Sequence, residues 1–126
     1  MSAPDLSGLW EASAEALGPD GAVLYTFECD VTLAPKGEAF AVMLETKGGK
    51  SSRSVSYAEK LTALPSGEWH LRYGYEADPE HAATASHTFF GLSQMTFSAD
   101  GKTATGTSCN YNGRYIITRL EARRRP

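Results

Sequence analysis

Two neighbouring stretches of the chain alternate between two kinds of side chain, and both carry groups that can recognise a ligand. Residues 51–58 place small hydroxyl side chains on one face, and residues 69–75 place large aromatic side chains on one face. The hydroxyl row consists of Ser52, Ser54 and Ser56. The aromatic row includes Trp69, Tyr73 and Tyr75. Hydroxyls exchange hydrogen bonds with polar groups and phenol rings stack on flat rings. The two rows together predict a pocket wall for a flat, polar ligand.

A second set of polar side chains lies near the end of the chain. Thr105 and Thr107 alternate on one face of a later segment, and Arg119 shares a face with Tyr115 and Ile117. An arginine inside a barrel would need an anion, such as a phosphate or a carboxylate, to offset its loss of water. Serine and threonine rows also occur on solvent-facing sides of strands, and the tyrosines also fit a packed core. Both interpretations stay open at this point.

The motifs that would carry catalysis or metal binding are incomplete. Gly49-Lys50-Ser51 resembles the end of a phosphate-binding P-loop, but Leu44 stands where that motif needs its first glycine. The three histidines have no spacing that would bring two of them to one metal ion. No Gly-x-Ser-x-Gly nucleophile motif occurs either. We therefore expect a protein with no metal site, no cofactor and no enzymatic activity.

Length and composition are those of an ordinary globular domain. The 126 residues are 41% hydrophobic and 21% charged, which suits one domain, residues 1–126, with one core. The net charge of −3 argues against a protein that binds polymeric DNA or RNA, because such a protein needs a basic surface. Residues 122–126 contain three consecutive arginines and are predicted to form a solvated basic tail.

The cysteines and the first residues bear on the cellular compartment. Cys29 and Cys109 lie far apart in the sequence and are predicted to be two buried, free thiols. The chain starts without the basic and apolar runs of a signal peptide, and no apolar stretch approaches the roughly 20 residues of a membrane helix. The expected location is the cytoplasm.

Turn signals punctuate the chain at short and fairly even spacing, and they include Asp100-Gly101 and Asn112-Gly113. Such pairs between alternating segments predict hairpins, because both residues accept a positive φ. The predicted strands are residues 7–17, 22–34, 38–47, 51–64, 68–77, 86–98, 102–111 and 113–121. Eight consecutive strands with short connections predict an all-β fold, an eight-stranded antiparallel up-and-down, lipocalin-like barrel. The composition of segment 11–17 on its own favours a helix over the predicted strand.

Several short motifs resemble a known family. They are Ser54-x-Ser56-x-Ala58, Leu71-x-Tyr73-x-Tyr75 with Pro79 after it, Gly91 before an apolar strand, and Thr105-Gly106-Thr107 leading to Gly113. The resemblance covers roughly residues 7–121. This pattern is similar to the β-barrel sensor domain of the two-transmembrane effectors of bacterial cyclic-oligonucleotide antiphage signalling (CBASS).

The resemblance implies a function and a set of contact residues. In that family the barrel follows two transmembrane helices and senses a cyclic dinucleotide, and binding leads to oligomerisation and membrane disruption. The resemblance therefore implies a cyclic di- or oligonucleotide as the partner and a possible homo-oligomer. It also implies inner-membrane association if the full-length protein carries the two helices, which this sequence lacks. The ligand-binding residues that we expect are Ser54, Ser56, Tyr73, Tyr75, Thr105, Thr107, Arg114 and Arg119.

An alternative reading of the same barrel is a carrier for a small amphipathic molecule, as in lipocalins and fatty-acid-binding proteins. It predicts a lumen dominated by Leu44, Phe89, Met95 and Ile117, with one arginine for a carboxylate. An enzyme would instead require an acid–base pair inside the lumen. A purely structural interaction domain would have a filled barrel without a cavity.

Overall fold

The computed structural model describes residues 5–47, 52–78, 90–111 and 115–125. Eight strands form a closed antiparallel barrel in which each strand pairs with the next and the last pairs with the first. They are β1 (Gly8–Leu17), β2 (Val23–Lys36), β3 (Ala39–Thr46), β4 (Arg53–Ala63), β5 (Trp69–Ala77), β6 (Phe90–Phe97), β7 (Thr103–Tyr111) and β8 (Tyr115–Arg124). This confirms the predicted eight-stranded up-and-down barrel. Among these residues no helix is long and apolar enough to span a membrane.

Strand β1 shows why the segment with a helix-favouring composition is extended. Its alternate residues Ala12, Ala14 and Ala16 are buried, while Glu11 on the opposite face is exposed. Small side chains at every second position fit the inside of a narrow barrel, and the intervening polar residues meet water. Pairing with β2 on one side and β8 on the other satisfies the backbone of this strand. Tertiary context therefore overrides the helix propensity of the segment.

The end of the barrel where β1 begins is closed by apolar packing. The Trp10 ring is fully buried and meets Phe97 edge to face, with ring centroids 5.2 Å apart. Its Nε1 donates a hydrogen bond to the Leu6 carbonyl oxygen at 3.1 Å. Gly8 has a φ of 118°, a value that an L side chain rarely adopts, so a glycine suits this bend. These contacts seal the closed end of the barrel.

The predicted basic tail is partly wrong, because β8 continues through Arg124. Ala122 is buried inside the barrel and pairs with Ala12 of β1. The Arg124 guanidinium donates to the Ser7 carbonyl oxygen at 2.6 Å and lies 5.8 Å from the centroid of the Trp10 ring. The first part of the arginine run therefore belongs to the barrel wall, where it covers the closed end.

Strand β4 contains a β-bulge that reverses its facing halfway along. The register with β5 shifts between Tyr57 and Lys60, and Ala58 has a φ of 55°. Before the bulge Ser54 faces the interior, and after it Leu61 packs against the core. A bulge adds one unpaired residue and so moves the following side chains to the other face.

The pairing of β3 with β4 is short and spans only three residue pairs, from Met43–Val55 to Glu45–Arg53. Next to this ladder the Val42 backbone N–H donates to the Ser56 hydroxyl oxygen at 2.7 Å. A side chain therefore replaces a missing ladder partner at this seam of the barrel.

The two cysteines are free, but they differ in environment. Cys29 lies inside the barrel, where burial, the largest effect, raises the pKa of its thiol to about 12. Cys109 is exposed, so the prediction that both thiols are buried is wrong for this residue. Its neighbours Ser108 and Asn110 face inward on β7, which places Cys109 on the outer face.

Candidate functional site

The barrel encloses a cavity of about 360 Å³, which lies within the size range of small-molecule sites. Its apolar zone consists of Phe27, Val31, Val42, Leu44, Met95, Ile116 and Leu120. Its polar zone consists of Thr46, Lys47, Ser52, Ser54, Ser93, Ser108, Asn110 and Thr118, together with the hydroxyl groups of Tyr73 and Tyr75. Thr46 ends β3 and Ser52 directly precedes β4, so the polar zone reaches the end of the barrel opposite Trp10. A cavity with an apolar wall and several convergent polar groups is typical of a ligand site.

Tyr73 and Tyr75 both face the cavity, as the alternation of β5 predicts. Their ring centroids are 6.5 Å apart and their planes differ by 60°. Burial is the main cause that raises the pKa of Tyr73, to about 12, and a hydrogen bond with Ser93 acts in the opposite direction. Burial likewise raises the pKa of Tyr75, against a hydrogen bond with Ser108. Both phenols therefore stay neutral at physiological pH and can stack and hydrogen bond without adding negative charge.

A glycine on the next strand makes room for the ring of Tyr75. Gly91 pairs with Tyr75 in the β5–β6 ladder, and its α-carbon lies against the Tyr75 hydroxyl. A Cβ atom at position 91 would lie 2.6 Å from that hydroxyl oxygen and would also collide with the Cys109 carbonyl oxygen. Gly91 therefore lets the phenol of Tyr75 lie close to the barrel wall.

The two serines of the predicted row have different roles in the structure. Ser54 is buried and lines the cavity. Ser56 accepts a hydrogen bond from the Val42 N–H and donates one to Glu59 Oε2 at 2.6 Å. The Lys36 ammonium completes this cluster, 2.9 Å from Glu59 Oε1. The Ser56 hydroxyl is therefore already used in hydrogen bonds that join β3 and β4. Ser54 is the serine whose hydroxyl is available to a ligand.

Three further candidates lie together at an outer groove, and one of them also borders the cavity. Thr105, Thr107 and Arg119 border this groove, which crosses β2, β1, β8 and β7, and Thr107 is the one that also borders the cavity. Arg119 is exposed and its Nη2 lies 3.2 Å from Glu15 Oε1. Glu28 and Glu121 border the same groove, so its surroundings are acidic. The prediction that Arg119 faces an anion inside the barrel is wrong, because β8 turns its even-numbered residues inward. Arg114 lies outside the described residues.

The cavity has further polar lining residues that were not predicted from the sequence. Thr118 stands one position before Arg119 and faces the cavity in its place, while Ser93 and Ser108 contact the two tyrosines. Lys47 is the cation among the described lining residues. The alternation of β8 could have identified Thr118. The expectation of an arginine in the lumen instead assigned the odd-numbered residues, with Arg119, to the inner face.

The outer face of the barrel carries a contiguous group of exposed apolar side chains, which we name the outer apolar patch. It consists of Phe90, Leu92, Cys109, Tyr111, Tyr115 and Ile117. Two cross-strand rows form it, Phe90–Tyr111–Tyr115 and Leu92–Cys109–Ile117. The exposed fraction reaches 69% for Leu92 and 73% for Tyr115. Contiguous exposed apolar groups on soluble proteins often coincide with interaction sites.

The described geometry is that of a small barrel whose cavity is lined by aromatic rings, hydroxyls and one cation. Residues 1–124 match the family model for the Cap15 cyclic dinucleotide receptor domain. The chain belongs to this family. The match confirms the resemblance to a CBASS effector sensor domain and supports a role as a cyclic nucleotide sensor. The search of curated proteins found no match to the chain.

Membership in the Cap15 receptor-domain family agrees with the overall design of the barrel. A receptor domain binds its signal, and the cavity offers groups for binding, namely neutral phenols, hydroxyls and an amide. Among the described residues no group of three or more potential metal ligands occurs.

Proposed function

We propose that the lumen binds a cyclic dinucleotide and that the protein acts through this binding, without catalysis. The observation that carries the proposal is the pair of neutral tyrosines, buried Tyr73 and partly buried Tyr75, in a cavity whose described lining contains no carboxylate. A cyclic dinucleotide carries two negative phosphodiester groups, so a lining free of negative charge avoids repulsion. Its flat bases suit the aromatic rings, as in other single-stranded nucleotide sites.

The arrangement of the lining suggests how a ligand is held. The ring of Tyr75 is less buried than that of Tyr73, so it offers the more accessible face for a base. Ser54 on β4 and Asn110 on β7 lie on different parts of the wall and offer hydrogen-bonding groups to base edges or ribose hydroxyls. A purely apolar ligand would leave these groups unpaired, at a cost for each.

The alternative proposal is a carrier of an amphipathic molecule. Leu44 and Met95 do line the cavity, as that alternative predicts, and they form part of its apolar zone. Ile117 is exposed on the outer face, and Phe89 lies outside the described residues. The mixture of polar and apolar lining therefore favours a nucleotide over a fatty acid.

A thermal-shift panel tests the proposal against its alternative. The purified protein is mixed with cyclic dinucleotides of several base compositions, a cyclic trinucleotide, a linear dinucleotide and a fatty acid. Binding at one hundred times the dissociation constant stabilises the native state by about 2.7 kcal/mol. We expect a shift with at least one cyclic dinucleotide. A shift with the fatty acid and none with any cyclic nucleotide would contradict the proposal and support the carrier.

We further propose that a second copy of the chain covers the outer apolar patch. Its five large side chains are between 41% and 73% exposed. If the full surface of each is taken as 150–250 Å², the range for large aromatic side chains, together they expose roughly 600 Å² of apolar surface. A self-complementary contact would then bury about 1,200 Å² in total, the lower limit of specific interfaces. The six side chains carry no charge, so two copies of the patch can face each other without repulsion.

Cys109 gives a direct test of this contact, because it lies within the patch. Cys29 is fully buried and its thiol pKa is raised to about 12, so a short bis-maleimide reacts at Cys109. We expect a cross-linked dimer, with or without cyclic dinucleotide, and its loss in Leu92→Glu. Cys109→Ser is the control for reaction elsewhere. A protein that stays monomeric in light scattering at high concentration, with and without ligand, would contradict the proposal.

The two free thiols also support the proposal that the protein works in the cytoplasm. Cys29 lies inside the barrel and Cys109 outside it, so the barrel wall separates them and they cannot form a bridge with each other. Free thiols persist in reducing compartments. Fractionation of the native host is the measurement that checks this location.

A further inference from the structure

The edge of the cavity holds a cation whose present partner lies outside the ligand space. Lys47 follows the last residue of β3 and borders the cavity. Its Nζ lies 3.1 Å from Oδ1 of Asp30, a residue of β2. The exposed fraction is 47% for the Lys47 side chain and 34% for that of Asp30. Both side chains are therefore partly exposed to water.

The contact between these two residues is loosely defined. The Asp30 Oδ1 atom is itself buried and accepts no well-directed hydrogen bond from the described residues. Charge therefore holds Lys47 there, without a directed hydrogen bond. Pairs of this kind at a protein surface contribute little to stability, so exchanging the partner costs little free energy. Water reaches the rest of the Asp30 side chain, so the carboxylate keeps contact with water after such an exchange.

Two cavity-lining hydroxyls lie at the same end of the barrel as Lys47, on its chain neighbour Thr46 and on Ser52. The Thr46 Oγ1 and Ser52 Oγ atoms are 3.3 Å apart, and both residues line the cavity. The Ser52 backbone N–H donates to Thr46 Oγ1 at 2.8 Å, which fixes the position of that oxygen. An ammonium group next to hydroxyl donors is a common arrangement for binding a phosphate.

We infer that Lys47 leaves Asp30 when a ligand enters and binds one of its phosphodiester groups at the corner formed with Thr46 and Ser52. Asp30 is then a competing counterion that lowers the affinity of the empty receptor for its ligand. The inference rests on the proposed function, because it needs an anionic ligand in the lumen. Lys47 then has the role of the phosphate-binding cation that was predicted for Arg119. Arg119 is instead paired with Glu15 on the outer face.

The test is isothermal titration of a cyclic dinucleotide into the full chain and its variants. We expect Lys47→Gln to weaken binding at least about tenfold, as for the loss of a charge-assisted hydrogen bond, and Lys47→Arg to stay within about threefold. Arg119→Gln is the matched control, since it also removes a cation from an exposed ion pair. It should leave the affinity within about twofold of the wild type.

Asp30 gives the second and more specific readout. Asp30→Asn should tighten binding about two- to fivefold, because Lys47 no longer has a competing partner. In the double variant with Lys47→Gln this gain should vanish, since the two substitutions act on one contact. The wild-type affinity should also fall more steeply with added salt than the affinity of Lys47→Gln.

The outcomes separate this inference from the function on which it rests. If the wild type binds and Lys47→Gln binds equally well, or loses no more than Arg119→Gln, the assignment of Lys47 is wrong and the receptor function stands. If Lys47→Gln binds weakly but Asp30→Asn does not bind more tightly, the competition by Asp30 is wrong. If the wild type binds no cyclic nucleotide, the proposed function fails and this inference fails with it.

Discussion

The Ser56 hydroxyl donates a hydrogen bond to Glu59 Oε2 at 2.6 Å, across the bulge of β4. The Glu59 side chain is 4% exposed and also contacts the Lys36 ammonium. Burial, the largest effect, favours the neutral carboxyl, but the hydrogen bonds from Ser56 and Lys36 together lower the pKa of Glu59 below its usual value. The cluster ties β4 to the end of β2 where the β3–β4 ladder has stopped.

This relationship predicts different effects for two neighbouring serines. Ser56→Ala removes one hydrogen-bond donor from the Glu59 carboxylate, which keeps Lys36, and leaves the Val42 N–H without its partner, so it should lower the free energy of unfolding by about 1–3 kcal/mol. Ligand affinity of the folded variant should change little. Ser54→Ala should do the opposite, with weaker binding and nearly wild-type stability. Urea unfolding and titration calorimetry on both variants check the pair, and a Ser56→Ala variant with wild-type stability would contradict it.

Tyr75 is expected to contribute stacking to ligand binding. Tyr75→Ala should weaken binding by about 1–3 kcal/mol, the usual value for one base on an aromatic ring. Tyr75→Phe keeps the ring and loses only the hydroxyl that meets Ser108, so it should retain most of the affinity. Tyr57→Ala is the matched control, because this tyrosine is exposed on the outer face. Equal losses in Tyr75→Ala and Tyr57→Ala would show that ring stacking in the lumen is not responsible.

The raised pKa of Tyr73 predicts a loss of stability in alkali. The phenol titrates near 10 in the unfolded chain and at about 12 in the folded protein, so the folded state retains its proton longer. The stability from this group is complete below pH 10 and is lost as the pH rises from 10 to 12, by about 2–3 kcal/mol. Urea unfolding at pH 9, 10 and 11 measures this loss. Tyr73→Phe should show a shallower decline, and an identical decline would contradict the assignment.

Arg119 is expected to be irrelevant to ligand binding. Its guanidinium is exposed and pairs with Glu15 on the outer face, so Arg119→Ala should cost less than about 1 kcal/mol in stability and leave the affinity unchanged. Binding and unfolding measurements on this single variant are sufficient. A large loss of affinity would show that the ligand contacts the outer groove instead of the lumen.

Much of the fold could be predicted from the sequence because alternation and turn chemistry are local signals. The boundaries of β5 and β7 agree within one residue with the expected segments, and the facing of Tyr73 and Tyr75 follows from simple alternation. The bulge of β4 could not be predicted, since nothing local distinguishes Ala58 at a φ of 55° from a regular strand residue.

The site could be predicted less well, because facing depends on the absolute register of each strand. On β8 a shift of one residue separates Thr118 inside from Arg119 outside, and residue type alone favoured the wrong one. Lys47 was missed because its position at the cavity edge depends on where β3 ends. The hydrogen bond between Val42 and Ser56 could not be predicted either, because the two residues are 14 positions apart in the sequence.

The central claim is that the ligand occupies the lumen, and a pair of tryptophan substitutions tests it most directly. Thr118 lines the cavity, whereas Thr105 is exposed on the outer wall of the neighbouring strand. Titration calorimetry with a cyclic dinucleotide should show lost binding in folded Thr118→Trp, whose indole fills the cavity. Thr105→Trp should bind like the wild type. Wild-type binding by a folded Thr118→Trp variant would contradict the claim and place the ligand elsewhere on the barrel.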